Sequence, residues 1–239
     1  MGTERLLRQE SIDTETLDSS WEIESFSTLP SGVAGAVYQR FGKRAFDLAL
    51  AIPLCALATP LILLLAATHI VLHGWPPFHR GRRLGRGGRQ FSMWKIRTMG
   101  SDSEQQLQEW PESNPKLAAE FARNFKLKHD PRITRFGRFL RRSSLDELPQ
   151  LWNVLRGDMS LVGPRPIVAE ELSNYRDRAG EMLAFRPGIS GPWQVSGRNQ
   201  IAYPERTWFE LNYCRTASLA GDLRILLRTL SMPIRFNGL

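Results

Sequence analysis

The segment Ser143-Ser144-Leu145-Asp146-Glu147-Leu148-Pro149-Gln150 places two adjacent carboxylates directly after a cationic run that ends in Arg141 and Arg142. Arginines hold phosphates well, and an acid beside them can serve as an anionic nucleophile or a magnesium ligand. Magnesium is commonly held by one or two carboxylates together with substrate phosphates, so this pair suffices for phosphoryl chemistry. A structural role fits the same letters. Ser144 followed three residues later by Glu147 has the spacing of a capping box, with Asp146 as an ordinary first-turn acid. The two roles are compatible, because a helix N-terminus also favours phosphate.

Two loops carry further candidates. In Gly163-Pro164-Arg165-Pro166 the prolines restrict the backbone on both sides of Arg165. An arginine so placed suits a bidentate grip on phosphate, or the capping of loop carbonyls. The stretch Arg186 to Asn199 mixes glycines with Trp193, Gln194, Arg198 and Asn199. That composition fits a nucleotide or sugar contact, and equally a long structural loop.

These groups need elements to position them. Ile133, Phe136 and Leu140 recur at helical spacing with arginines between them, which predicts an amphipathic basic helix. Such a helix lies on anionic headgroups or packs partly buried in a globular domain. Leu151, Trp152 and Leu155 continue a helical pattern after the acid pair, and Leu219, Leu223, Leu226, Leu227 and Leu230 predict a C-terminal amphipathic helix for core or interfacial packing. Residues 48–68 are 21 consecutive uncharged, mostly aliphatic residues, enough to cross a bilayer core of about 30 Å. Both flanks are basic, however: Arg40, Lys43 and Arg44 before, Arg80, Arg82 and Arg83 after. The positive-inside rule wants asymmetric flanks. Pro53 and Pro60 also interrupt the run, each removing a helix hydrogen bond. A helix-break-helix that dips into one leaflet and returns satisfies both observations better than a spanning helix, and a buried core helix is the third reading.

The composition sets the frame. The chain has 239 residues, 42 % of them apolar and 23 % charged, so neither wholesale disorder nor a multi-span membrane protein fits. Two cysteines, Cys55 and Cys214, and four histidines without a cysteine pair argue against a disulfide scaffold or a zinc site. The net charge is +8, which calls for an anionic partner: nucleic acid, an anionic membrane surface or phosphorylated substrates. The charge is unevenly spread. Residues 1–42 hold seven acids against three arginines, net −4, which leaves +12 on the remainder. This Ser/Thr/Glu-rich start reads as a flexible tail, and without an early apolar core it is no signal peptide. Arg80 to Thr98 carries seven basic residues and no acid, and Pro131 to Arg142 carries five arginines and no acid. One such run is often a solvated face; two beside an apolar segment point to a phosphate-bearing partner.

Taken in order, several of these segments resemble the bacterial sugar transferases of the monotopic polyprenyl-phosphate phosphoglycosyltransferase family. They are Lys43-Arg44-Ala45-Phe46-Asp47-Leu48, Trp94-Lys95-Ile96-Arg97-Thr98-Met99, Asp130-Pro131-Arg132-Ile133-Thr134-Arg135-Phe136-Gly137, Ser144 to Gln150, Asn153 to Pro166, Arg186-Pro187-Gly188-Ile189 and Gly197-Arg198-Asn199. The match runs from about Lys43 to Thr229.

The resemblance implies a re-entrant membrane helix hairpin broken at Thr59-Pro60, where the family usually shows Ser-Pro. It implies transfer of a phosphosugar from a nucleotide diphosphate sugar, typically a UDP-sugar, to polyprenyl phosphate at the cytoplasmic face of the bacterial inner membrane, the first step of a polysaccharide or glycoconjugate. Asp146 then corresponds to the nucleophile that forms a covalent phosphosugar-aspartate with release of UMP. Magnesium associates with that carboxylate, and Glu147 completes the dyad and helps to deprotonate the lipid phosphate. Lys95, Arg141 and Arg165 match basic positions that line the family's active site, and Arg97 of the same basic block joins them as a candidate phosphate ligand. Gly81, Gly87 and Glu210 depart from the usual glutamine, asparagine and aspartate, which bears on substrate fit. With an acidic tail in place of the four spanning helices of longer relatives, the chain resembles the minimal catalytic form.

The expected architecture is α-rich with little β: an acidic tail (1–42), a re-entrant hairpin (43–79) and a small cytosolic catalytic domain with amphipathic interfacial helices (80–239). Its partners are membrane lipid, polyprenyl phosphate and the nucleotide sugar, with a homodimer or downstream glycosyltransferases compatible. The competing reading from another class is a membrane-tethered basic nucleic-acid-binding protein, disfavoured by the apolar segment and by the lack of a recognised nucleic-acid motif. A catalytically dead scaffold of the same family is disfavoured by the intact acid pair.

Overall fold

The computed structural model describes residues 37–114, 117, 118, 127, 130–196 and 203–231. The acidic tail up to residue 36 and the pair Arg198 and Asn199 lie outside the described residues. After a π-helical turn, Tyr38–Gly42, the apolar segment forms one long helix α1 (Lys43–His73). There follow strands β1 (Phe78–Leu84) and β2 (Gln90–Ile96), then α2 (Ser103–Ser113), α3 (Arg135–Ser143), a 3-10 turn Leu145–Glu147, α4 (Gln150–Arg156) and β3 (Ser160–Val162). A 3-10 segment Ala169–Arg178 leads to α5 (Ala179–Leu183), β4 (Gly188–Ser190), α6 (Pro192–Ser196), α7 (Tyr203–Thr216) and α8 (Leu219–Ser231). The described residues are mostly helical with little sheet, as expected: among them are one antiparallel ribbon β1-β2 and one short parallel pair β3-β4.

Helix α1 keeps helical backbone through both prolines, so the expected interruption of the helical run at Thr59-Pro60 is not present. The Thr59 hydroxyl donates to the Cys55 carbonyl at 2.7 Å, one turn back, while the carbonyl that Pro60 deprives of an amide donor is that of Ala56. Much of the helix is bare: Ile52, Leu57, Leu63, Leu64 and Val71 are exposed, and only 22 % of its most apolar window is buried. The buried positions near its start, Lys43, Asp47, Ala51 and Cys55, recur every fourth residue and form a single stripe.

That stripe is fastened by polar groups. Lys43 Nζ lies 2.6 Å from Asp222 Oδ2, and Tyr38 and Tyr213 donate their hydroxyls to the same carboxylate. Arg44 donates to the carbonyls of Val154 (2.6 Å) and Leu155 (2.9 Å), satisfying the C-terminal end of α4. Asp47 Oδ1 accepts from Ser160 Oγ and the Leu161 amide. Near the other end, Leu65 packs with Ile96 and Leu140, and the His73 ring lies 6.5 Å from that of Phe136. Both ends of α1 therefore rest on one body.

The main core gathers Ala51 and Cys55 of α1 with Met93, Leu151, Val154, Met159, Val162, Phe185 and Tyr213. The stretch expected as one loop from Arg186 instead folds into β4 and α6. Gly188 makes this feasible, because a Cβ there would collide with the backbone of Gly163 and prevent the β3-β4 pairing. On α8, Ile225 and Leu226 pack inward while Leu219, Leu223, Leu227 and Leu230 stay exposed. This second row of leucines suits an interface.

Candidate active site

The acid pair is presented by a short turn between two helices. Helix α3 begins at Thr134, whose hydroxyl accepts from the Gly137 amide, and ends at Ser144, a non-glycine residue with φ +57°. This corrects the capping-box reading: the Ser144 side chain makes no cap bond, and Asp146 and Glu147 sit in a 3-10 turn. The left-handed residue reverses the chain so that Asp146 points inward, 6 % exposed, while the Glu147 side chain stays 38 % exposed.

Strand β2 brings Lys95 to the pair. Its ammonium lies 2.6 Å from Glu147 Oε1 and 4.0 Å from Asp146 Oδ2. Arg141, one turn before the acids, is held by its Nε donating to Thr98 Oγ1 at 2.9 Å. Burial pushes the Asp146 carboxyl up; Lys95 opposes this most, Glu147 adds to it and Arg141 opposes it. Burial pushes the Arg141 guanidinium down, with Asp146 and Asp130 opposing. A buried carboxylate of raised basicity beside two cations can attack an electrophilic phosphorus whose charge those cations neutralise.

One buried amide splints this assembly. Asn153 of α4 is fully buried; its Oδ1 accepts from the Trp94 amide (3.0 Å) and its Nδ2 donates to the Ser92 carbonyl (2.8 Å). Strand β2 and α4 are thereby tied together on either side of the acid turn.

Arg165 lies in a second cluster. Its amide donates to Glu210 Oε1 (3.3 Å), and its Nη1 lies 3.1 Å from Glu171 Oε1. Glu210 is fully buried and also accepts from the Tyr175 hydroxyl. Burial pushes the Glu210 carboxyl up, while the Tyr175 hydrogen bond, the Arg165 amide and the neighbouring arginines pull the other way. The Arg165 guanidinium lies 5.7 Å from the Trp193 ring, and that of Arg206 lies 4.1 Å from it.

Residues 38–235 match the family model described as bacterial sugar transferase. The chain belongs to this family. It is 45 % identical over 199 residues to an undecaprenyl-phosphate galactose phosphotransferase of Salmonella typhimurium, a match covering 83 % of this chain and 42 % of that protein. It is 43 % identical over 188 residues to the exopolysaccharide production protein ExoY of Sinorhizobium fredii, covering 79 % and 83 %. A UDP-glucose:undecaprenyl-phosphate glucose-1-phosphate transferase of Caulobacter vibrioides is 38 % identical over 208 residues, covering 84 % and 72 %. The chain thus spans about two fifths of the length of the Salmonella relative and most of ExoY.

In this bacterial sugar transferase the predicted residues fall into separate places. Lys95, Arg141, Asp146 and Glu147 converge. Arg97 follows β2, where its amide donates to the Pro77 carbonyl. Gln194 in α6 donates to the Ile189 carbonyl (3.2 Å), so its amide braces its own loop. Thr98 and Asn153 were not legible in the sequence, since a threonine and an asparagine carry no signal until their partners are known. As donors for a cation, the acid pair offers two adjacent carboxylates. Among the described residues no group of three or more His, Cys, Asp or Glu side chains gathers. Hard oxygen donors of this number fit magnesium when substrate phosphates and water complete its shell.

Proposed function

We propose that this transferase moves a sugar phosphate from a nucleotide diphosphate sugar, a UDP-sugar, to undecaprenyl phosphate, as the names of its relatives describe for them. The observation that carries the reading is the buried Asp146 carboxylate with Lys95 at 4.0 Å and Arg141 beside it. An Asp146 oxygen attacks the β-phosphorus. The phosphoanhydride bond breaks, and UMP leaves with the bridging oxygen. The phosphosugar is then held on the Asp146 carboxylate as an acyl phosphate. Glu147 takes the proton of the incoming lipid phosphate, whose oxygen attacks the same phosphorus, and the carboxylate returns free. Lys95, Arg141 and Arg165 neutralise phosphate charge, which is most of what phosphoryl transfer asks of a protein. Magnesium, associated with the Asp146 carboxylate, would supply further neutralisation of the diphosphate.

Protein purified in detergent, given undecaprenyl phosphate, magnesium and a panel of UDP-sugars, is expected to release UMP and form a lipid-linked diphosphate sugar. Absence of UMP with every sugar nucleotide overturns the reading. EDTA is expected to stop turnover and added magnesium to restore it; full activity in EDTA removes the metal from the scheme.

The membrane placement we propose is re-entrant, with the catalytic body on the cytoplasmic side. From Asp47 to His69 a straight helix rises about 33 Å, more than the apolar thickness of a bilayer. Yet the groups near both ends rest on one folded body, which a spanning helix would place on opposite sides. Cysteines at Arg40 and Arg82 are expected to label from the same side in intact cells. Labelling from opposite sides would mean that α1 crosses.

A further inference from the structure

Trp193 is 8 % exposed, and its indole Nε1 has no hydrogen-bond partner among the described residues. A buried donor left unpaired is costly, so an acceptor from outside the chain is the natural resolution. The charges around the ring say which kind: the guanidiniums of Arg165 and Arg206 both lie against it.

The ribbon β1-β2 relates this place to Asp146. His79 pairs with Lys95 and Arg83 with Phe91, so Lys95 and Arg83 stand on one face of the ribbon. They are four residues apart along the strand direction, about 13 Å. Lys95 reaches the acid pair, whereas Arg83 lies in the field of Arg165, Glu171 and Glu170. The Leu84 amide donates to the Ile167 carbonyl at 2.9 Å, which pins that end of the ribbon to the Arg165 loop. One ribbon face thus carries the acid pair at one end and the arginine cluster at the other.

We propose that Trp193, flanked by Arg165 and Arg206, is a ligand-binding residue: its indole N–H donates to a phosphate oxygen of the nucleotide half of the donor, the half that leaves as UMP. This rests on the reading of the chain as a UDP-sugar-dependent transferase. Arg206 stacks on the ring and sets its plane, and Arg83 extends the cationic rim toward Lys95. Trp193 acts on binding rather than on the reacting phosphorus, so its removal shows in KM and in UMP affinity.

The test is calorimetric titration of the full-length protein in detergent with UMP, alongside steady-state kinetics. Trp193→Phe keeps a ring for the guanidiniums and removes the N–H. The expected result is a UMP Kd and a donor KM each raised about ten-fold, with kcat within about three-fold. Arg206→Lys, which keeps the charge and loses the planar stack, is expected to weaken UMP in the same direction. Wild-type UMP affinity in both variants overturns the proposal. If Trp193→Phe does not fold, Arg206→Lys decides alone: weaker UMP supports it and unchanged UMP overturns it. A wild-type protein that neither releases nor binds UMP instead overturns the underlying reading of the reaction.

Discussion

Asp146→Asn is expected to reduce UMP release by roughly 10⁴-fold or more, to the background of the assay. The substitution keeps the shape of a side chain that is 6 % exposed and removes the oxygen proposed as the nucleophile. It also removes the buried carboxylate that lies beside both Lys95 and Arg141. Asparagine there carries no charge to desolvate, so a folded, inactive protein is the expected outcome. Intact-mass measurement gives a second readout. Wild-type protein incubated with donor and no lipid acceptor is expected to gain the mass of one sugar phosphate, and the variant none. A rate within a few-fold of wild type would sink the covalent scheme, and so would an equal adduct on the variant. Glu147→Gln separates the two acids: in the proposed scheme Glu147 acts when the lipid phosphate arrives, so the adduct is expected to form and its transfer to slow.

The second large effect is expected at a glycine that touches no substrate. A Cβ on Gly137 would overlap the carbonyl oxygen of Thr98. Helix α3 is seated directly on that strand-end segment, with the Thr134 amide donating to the same carbonyl at 3.1 Å. Backbone cannot yield as a side chain can, so Gly137→Ala must lift the helix. Overpacking of this kind costs about 3 kcal/mol, a fall in Tm of about 6–12 °C for a chain of this size. The lift also separates Arg141 from Thr98 Oγ1, so activity at temperatures well below Tm is expected to fall by about ten-fold or more. A Tm within 2 °C of wild type together with full turnover would show that α3 is not held as described.

How much was readable beforehand varies by residue. The acid pair, Lys95 and Arg141 were visible because charge is conspicuous and their order in the chain is specific. Their convergence was not, since it depends on an antiparallel ribbon bringing Lys95 to a turn 52 residues later. The capping-box pattern misled because Ser144 adopts a left-handed conformation, which local spacing does not encode. The proline rule predicted a break in α1 where the helix runs on: each proline removes one amide donor, but its fixed φ is compatible with helix and the surrounding backbone stays helical. The basic residues were read as facing a phosphate-bearing partner, whereas several arginines across the chain are paired within the protein. Arg44 caps carbonyls of α4, Arg132 pairs with Asp130, Arg165 with Glu171 and Arg215 with Glu181. Partners of this kind are set by tertiary packing and leave no trace in composition.

Asn153 has one more consequence. A two-stranded ribbon leaves a row of unpaired amides and carbonyls on its outer margin, a ready template for another extended chain. The side-chain amide of Asn153 offers the same donor and acceptor that a neighbouring peptide group would offer, and it occupies the Trp94 amide and the Ser92 carbonyl on that margin. One buried residue therefore stands in for a third strand. It closes that stretch of β2 to strand addition, so a protein crowded at a membrane surface is kept from zipping onto its neighbours there.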